Sequence, residues 1–165
     1  MDFYSIVSTH EGHDGKQVTS QVLNIRRFDM PTEDVIEHLQ LEPGTPVVYI
    51  KRLFLFDDKP LAVGRSWLSL ARFPGLDETG LGEKGLTATL RSRYNTIIRR
   101  FNDAIEAVRP APDERNLLDV SYDCPLLMVR GLSFDQHNVP VEYSTTYWLG
   151  DKVRFTVSMN TQELE

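Results

Sequence analysis

Residues 47–56 read VVYIKRLFLF, residues 57–60 read DDKP, and residues 61–68 read LAVGRSWL. The first run is β-branched and aromatic and lies between the breakers Glu42-Pro43-Gly44 and Asp57-Asp58. It is too short for a buried helix and predicts a strand. Asp57 to Pro60 is turn chemistry, and Leu61 to Leu68 returns as a second strand, completing a hairpin. The same order comes back later in the chain. Pro125–Phe134 reads PLLMVRGLSF, Asp135 to Asn138 turns, and Val139 to Trp148 returns. A short helix is expected before each hairpin. In the first, Thr32 precedes Glu33-Asp34, with Val35, Ile36 and Leu39 apolar at helical spacing. In the second, Pro112 to Leu118 carries Leu117 and Leu118 as its apolar pair. Leu39 aligns with Leu118, Arg52 with Arg130, Phe56-Asp57 with Phe134-Asp135, and Pro60 with Pro140, at offsets of 78 to 80 residues. Two pseudo-repeated helix–hairpin halves imply an α+β domain built on one antiparallel sheet.

Working outward, residues 1–18 read as a flexible lead-in, because Glu11 to Lys16 is polar, holds two glycines and has no hydrophobic period. The domain proper is expected over residues 19–165, opening on a strand in which Leu23 and Ile25 alternate with polar neighbours. Between the halves, Phe73-Pro74-Gly75 marks a loop, and Leu86, Leu90 and Tyr94 fall four apart on a helix. Asn95 to Val108 fits either element, since Ile97, Phe101 and Ile105 share one face of a helix or of a strand. The β-branched run Thr96-Ile97-Ile98 favours strand.

Composition bounds the function. The 165 residues are 41% hydrophobic and 25% charged, which fits one globular domain large enough to bury a core without staples. Cys124 is the single cysteine, so an internal disulfide and a multi-cysteine zinc site are both ruled out, as suits a reducing, cytoplasmic setting. A net charge of −6 and a pI near 5.2 offer nucleic acid no basic field. No stretch approaches the ~18 consecutive apolar residues of a membrane span, and the N-terminus lacks the apolar core of a signal peptide. Neither a phosphate-binding nor a dinucleotide-binding glycine motif occurs, and no cofactor is expected. His10, His13 and Asp14 could mimic a metal site but show no third ligand.

Arg52 is the most informative residue. On a strand it shares its face with Val48, Ile50, Phe54 and Phe56, where a guanidinium is costly unless it is paired or meets an anion. An internal ion pair, an arginine at the sheet edge and an anion site all satisfy that requirement. A hairpin loop of two or four residues puts Arg65 on the face of Arg52, whereas three or five residues put it on the other. Glu142 shares its face with Ser144, Thr146 and Trp148, a row that suits either a small polar ligand or a solvated sheet surface.

LQLEPGTPVVYIKRLFLFDDKPLAVGRSWLS (39–69) and VEYSTTYWLGDKVRF (141–155) resemble the effector-binding UTRA domain of GntR-type bacterial regulators of the HutC subfamily. The matching positions include Leu39, Leu41, Gly44, Pro46, Arg52, Pro60, Glu142, Tyr143, Ser144, Gly150, Asp151 and Phe155. The resemblance implies a chorismate-lyase-like fold, with a six-stranded antiparallel sheet, flanking helices and a small-molecule pocket. It implies a homodimer that takes a small anionic metabolite and relays its binding to DNA through a winged helix-turn-helix domain upstream of these residues. By position, Arg52 would meet an anionic group of the effector and Glu142 would accept hydrogen bonds from it, with Ser144 and Trp148 beside them. Members that bind phosphorylated sugars carry a second arginine where this chain has Phe54, and Ser-x-Tyr where it has Gly85 and Thr87. Leu149 replaces a usual arginine. These departures point away from a phosphorylated amino sugar and toward another anion, with Thr87 on the middle helix and Arg65 as further candidate contacts. The competing readings are a stand-alone enzyme of the chorismate lyase type and a dimerisation module with a vestigial pocket.

Overall fold

Strands and helices alternate in the computed structural model, which describes residues 18–156. They are β1 (Val18–Phe28), α1 (Glu33–Leu39), β2 (Val47–Phe56), β3 (Lys59–Ser69), α2 (Leu76–Thr79), α3 (Gly85–Tyr94), β4 (Ile98–Val108), α4 (Pro112–Leu118), β5 (Leu126–Asp135) and β6 (Pro140–Leu149). The six strands form one antiparallel sheet in the order β1-β2-β3-β6-β5-β4. The expected lead-in and the His10–His13–Asp14 group lie outside the described residues, apart from Val18, which opens β1. No helix among the described residues is long and apolar enough to cross a membrane.

The two halves are related by a pseudo-dyad between β3 and β6. Val47 pairs with Phe28 as Leu126 pairs with Val108, and Leu55 pairs with Pro60 as Phe134 pairs with Pro140. This register corrects the alignment read from sequence by one residue within the strands. Lys51, not Arg52, corresponds to Arg130, and Gly131 stands where Arg52 does. The ambiguous segment 95–108 is a strand from Ile98, with Phe101 and Ile105 on one face. The short α2 was not expected, because four residues are too few to show a period.

Helices α1 and α4 cover one face of the sheet and α2 and α3 the other. On the first face, Val35 and Leu39 pack with Val47 and Tyr143, and Leu118 packs with Val63, Leu126 and Leu149. On the second, Leu76, Leu86 and Leu90 pack with Val48, Ile50 and Leu68. Side chains of α3 also hold the loop that leads into it. Thr89 Oγ1 accepts from the Gly82 amide at 2.9 Å, Arg93 donates to Gly80 O at 2.7 Å, and Tyr94 donates to Pro74 O at 2.9 Å.

Two ionic knots tie the elements together. The first joins α4 to the sheet: Arg65 meets Glu114 at 2.7 Å and Asp113 at 2.5 Å, and Lys51 meets Asp113 at 2.6 Å. The Lys51 ammonium, with Arg65, holds the Asp113 carboxyl below the usual carboxylate range. The second is Asp135, which accepts from the His137 and Val139 amides at 2.8 and 2.9 Å and pairs with Arg72. Arg72 in turn donates to Pro140 O at 3.0 Å, so one carboxylate fixes both the β5–β6 turn and the chain after β3. Burial alone would push this carboxyl up; the backbone donors and the guanidinium outweigh it and hold the group low.

Two outcomes follow. Glu114→Gln leaves the half-buried Arg65 with the more exposed Asp113 alone, and urea unfolding should show a loss of about 2 kcal/mol against under ~1 for Asp113→Ala. Asp135 binds its proton less readily when folded, so its stabilisation is full above about pH 4 and fades as pH falls further. Thermal melts of Asp135→Asn should therefore lose that acid-side slope while melting lower than the parent near neutrality.

Candidate effector site

Between Phe56 and Lys59 the turn is two residues long, Asp57 and Asp58, both with positive φ (52° and 60°), as a tight hairpin turn requires. A two-residue loop alone would put Arg65 beside Arg52. It does not, because Leu61 is an extra residue: Leu55 pairs with Pro60 and Phe54 with Ala62. This bulge inverts the facing of everything after it. Arg65 thus sits opposite Lys51 on the α1/α4 face, bound to Asp113 and Glu114, while Arg52 sits opposite Gly64 on the α3 face. The structure does not bring the two arginines together.

Arg52 keeps its expected neighbours. Its row across the α3 face runs Val22, Arg52, Gly64, Thr146, Val129 and Ile105. Glu142, Ser144 and Trp148 stand on the same face of β6. Arg52 Nη2 donates to Ser66 Oγ at 3.2 Å and reaches Glu142 Oε2 at 3.5 Å, the outer limit of a hydrogen bond. Its Nε is buried without a partner among the described residues. The side chains of Arg52 and Glu142 are only 12% and 17% exposed, so this guanidinium is desolvated and poorly neutralised.

The wall beside it is aromatic. The Phe54 ring lies 5.0 Å from the Arg52 guanidinium and stacks on Trp148 at 5.8 Å. Gly64 permits this arrangement: a Cβ there would come within 2.8 Å of the Phe54 ring. Trp148 Nε1 is itself buried without a partner among the described residues. An apolar wall with a few converging polar groups is the usual make-up of a small-molecule site. Thr87 is half-buried in the first turn of α3, and that turn reaches β1 where a Cβ on Gly85 would lie 3.7 Å from Ser20 Oγ.

Three groups on this face are not among the site residues expected from sequence. Ser66 was hidden by the unexpected bulge. Ser133, 4% exposed, has a buried hydroxyl with no partner among the described residues. Asp103 on β4 faces Gly131, whose missing Cβ would overlap Asp103 Oδ1 at 2.1 Å. Burial, with the nearby Glu142 carboxylate, pushes the Asp103 carboxyl up to about 6. The glycine in the middle of β5 was the available signal, since a strand glycine often marks a close approach.

A family model described as the UTRA domain matches residues 13–154. Among relatives, the HTH-type transcriptional repressor PhnF of Mycolicibacterium smegmatis is 29% identical over 135 residues, covering 81% of this chain and 55% of that protein. The HTH-type transcriptional regulator GmuR of Bacillus subtilis is 26% identical over 140 residues, covering 83% of this chain and 57% of its own length. The chain therefore spans little more than half of either relative. The crystal structure of the effector domain of PhnF from Mycobacterium smegmatis superimposes with a TM-score of 0.83 at 24% identity, covering 96% of this chain and 94% of that one. It shares the fold of six antiparallel strands and flanking helices. With the family model matching most of its length, this chain belongs to the UTRA domain family.

Proposed function

We propose that this domain senses a small anionic metabolite on the α3 face of its sheet, as the effector-binding and dimerising part of a GntR-type transcriptional regulator of the HutC subfamily. The observation that carries the reading is Arg52, a desolvated guanidinium with one long contact to a carboxylate and an unpartnered Nε. A bound anion supplies the missing acceptors, and such charge-assisted bonds are strong where water is excluded. Phe54 and Trp148 would hold the apolar body of the ligand, with Ser144 and Thr87 in reach of its polar edge. Regulation follows if the effector binds one geometry of the dimer better than another, since equal affinity for both shifts nothing. A DNA-reading domain upstream of these residues, in the cytoplasm, would then take up the change.

The kinship supports a regulator over an enzyme, because the relatives named above are a transcriptional repressor and a transcriptional regulator. The raised Asp103 carboxyl is a feature that would suit proton transfer in a lyase. Purified protein supplied with chorismate should release no 4-hydroxybenzoate, and turnover would replace the regulatory reading.

Calorimetry against a panel of metabolic carboxylates and phosphates tests the site itself. Arg52→Ala should weaken binding by about 100-fold or more, in line with losing a buried charged partner, with the far-ultraviolet spectrum unchanged. Arg52→Lys should recover only part of the affinity, because an ammonium lacks the planar fork. Unchanged affinity in Arg52→Ala would move the site elsewhere.

A further inference from the structure

Arg52 is outnumbered on its own face. Glu142 lies 3.5 Å from it, and beyond Glu142, across β5, Asp103 stands on the edge strand β4. The Asp103 carboxylate accepts no hydrogen bond and joins no ion pair among the described residues. The floor between the two acids is β5, which offers Gly131 opposite Asp103 and Ser133 opposite Glu142. Gly131 leaves room for the Asp103 carboxyl to lie over the strand. Ser133 is 96% buried by its 4% exposure, and its hydroxyl has no partner although it can donate or accept. Two carboxylates and an unused hydroxyl thus cluster over β6, β5 and β4, with Glu142 standing between the guanidinium and Asp103. An anion that brought no positive charge of its own would meet Arg52 but also Glu142 beside it and Asp103 beyond.

We propose that Asp103, Glu142 and Ser133 form a cation-accepting pole, so that the effector is a compact aminated acid, its acidic group on Arg52 and its ammonium on the two carboxylates. The assignment rests on the effector site proposed above and narrows the class of ligand it takes. The ammonium supplies three donors, matching Asp103, Glu142 and the Ser133 hydroxyl, and gives each of the two carboxylates a cation beside it. Binding must then compete with the proton on Asp103. The charged groups facing that carboxyl are Glu142 from β6 and, beyond it, Arg52 from β2. The remaining neighbours on this face, Phe101, Ile105 and Gly131, do not titrate. Because Asp103 holds its proton up to about pH 6, affinity for an aminated acid should fall about tenfold from pH 7 to pH 5.

The test is calorimetry of the chain with matched probes: 4-aminobutyrate against butyrate, and O-phosphoethanolamine against ethyl phosphate, at pH 7.5 and pH 5. The two pairs also separate a carboxylate from a phosphate as the acidic group. The expected result is that at least one aminated probe binds about tenfold or more tighter than its partner, the scale of one charge-assisted bond. That preference should vanish in Asp103→Asn and shrink in Ser133→Ala, while Arg52→Ala abolishes binding of both members. Titration of Asp103 by carbon-13 NMR should give a midpoint near 6 in the free protein, moving down when the aminated probe is added. Arg52-dependent binding with no preference for the amine overturns the cation pole and leaves the effector site standing. A preference that survives Asp103→Asn overturns the residues assigned to it. Binding indifferent to Arg52→Ala, or none to any probe, overturns the site and the pole together.

Discussion

The pairing of β3 with β6 is the constraint on which the rest of this molecule depends. Each half supplies three strands and one helix, yet neither can bury its own apolar surface. Each of the buried clusters described draws on both halves: Val141 joins the α3 cluster, Tyr143 the α1 cluster, and Val63 the α4 cluster. Beneath the aromatic wall, Leu61 and Ala62 meet Val129 and Trp148. Helix α1 rests partly on β6 and α4 partly on β3, so the helices cross the pseudo-dyad and lock the halves together. Burial is the dominant stabilising term, and here it becomes available only once the two hairpins have docked. Cooperative folding is the natural result for a domain of this size.

The same crossing explains why charged groups persist on the α3 face. Arg52 comes from the first half and Glu142, Ser133 and Asp103 from the second, so the polar patch sits over the seam between them. At the equivalent of Arg52 in the second half stands Gly131. One copy of the repeat provides the charge and the other the space. The opposite face shows the contrast: there Lys51 and Arg65 are matched by Asp113 and Glu114 at close range, as a purely structural network should be. The incomplete neutralisation of Arg52, set against that completed network, is what marks the α3 face as the place for a ligand.

Much of this was legible in the sequence because the signals were local. VVYIKRLFLF between two breakers becomes β2 with its expected bounds, Pro112 opens α4, and the repeat at about 80 residues becomes the pseudo-dyad. Arg52, Glu142, Ser144 and Trp148 share a face because residues two apart on a strand do so in any sheet. What failed was parity across strands. Placing Arg65 required knowing about a bulge, and a bulge leaves no composition signal at Leu61. Asp103 and Ser133 were missed for a related reason. Ser133 faces Glu142 through a second bulge, at Val141 in the β5–β6 hairpin, and Asp103 meets Gly131 through the β4–β5 pairing, which no local window contains. The one-residue error in aligning Arg52 with Arg130 has the same origin, since similar residues were matched where paired positions were needed.

The Leu61 bulge has a consequence for how such a site diverges among descendants. Which side chains of β3 face the ligand is decided by the count of residues after the turn, not by their identity. Shortening that stretch by one codon would exchange Ser66 and Gly64 for Arg65 and Trp67 along the α3 face in one event, while leaving every side chain of the strand but the deleted one intact. Substitutions tune the existing lining gradually. Changes in length at this hairpin would instead rewrite half of it at once, so lineages with new ligand preferences are better sought among insertions and deletions here than among point differences.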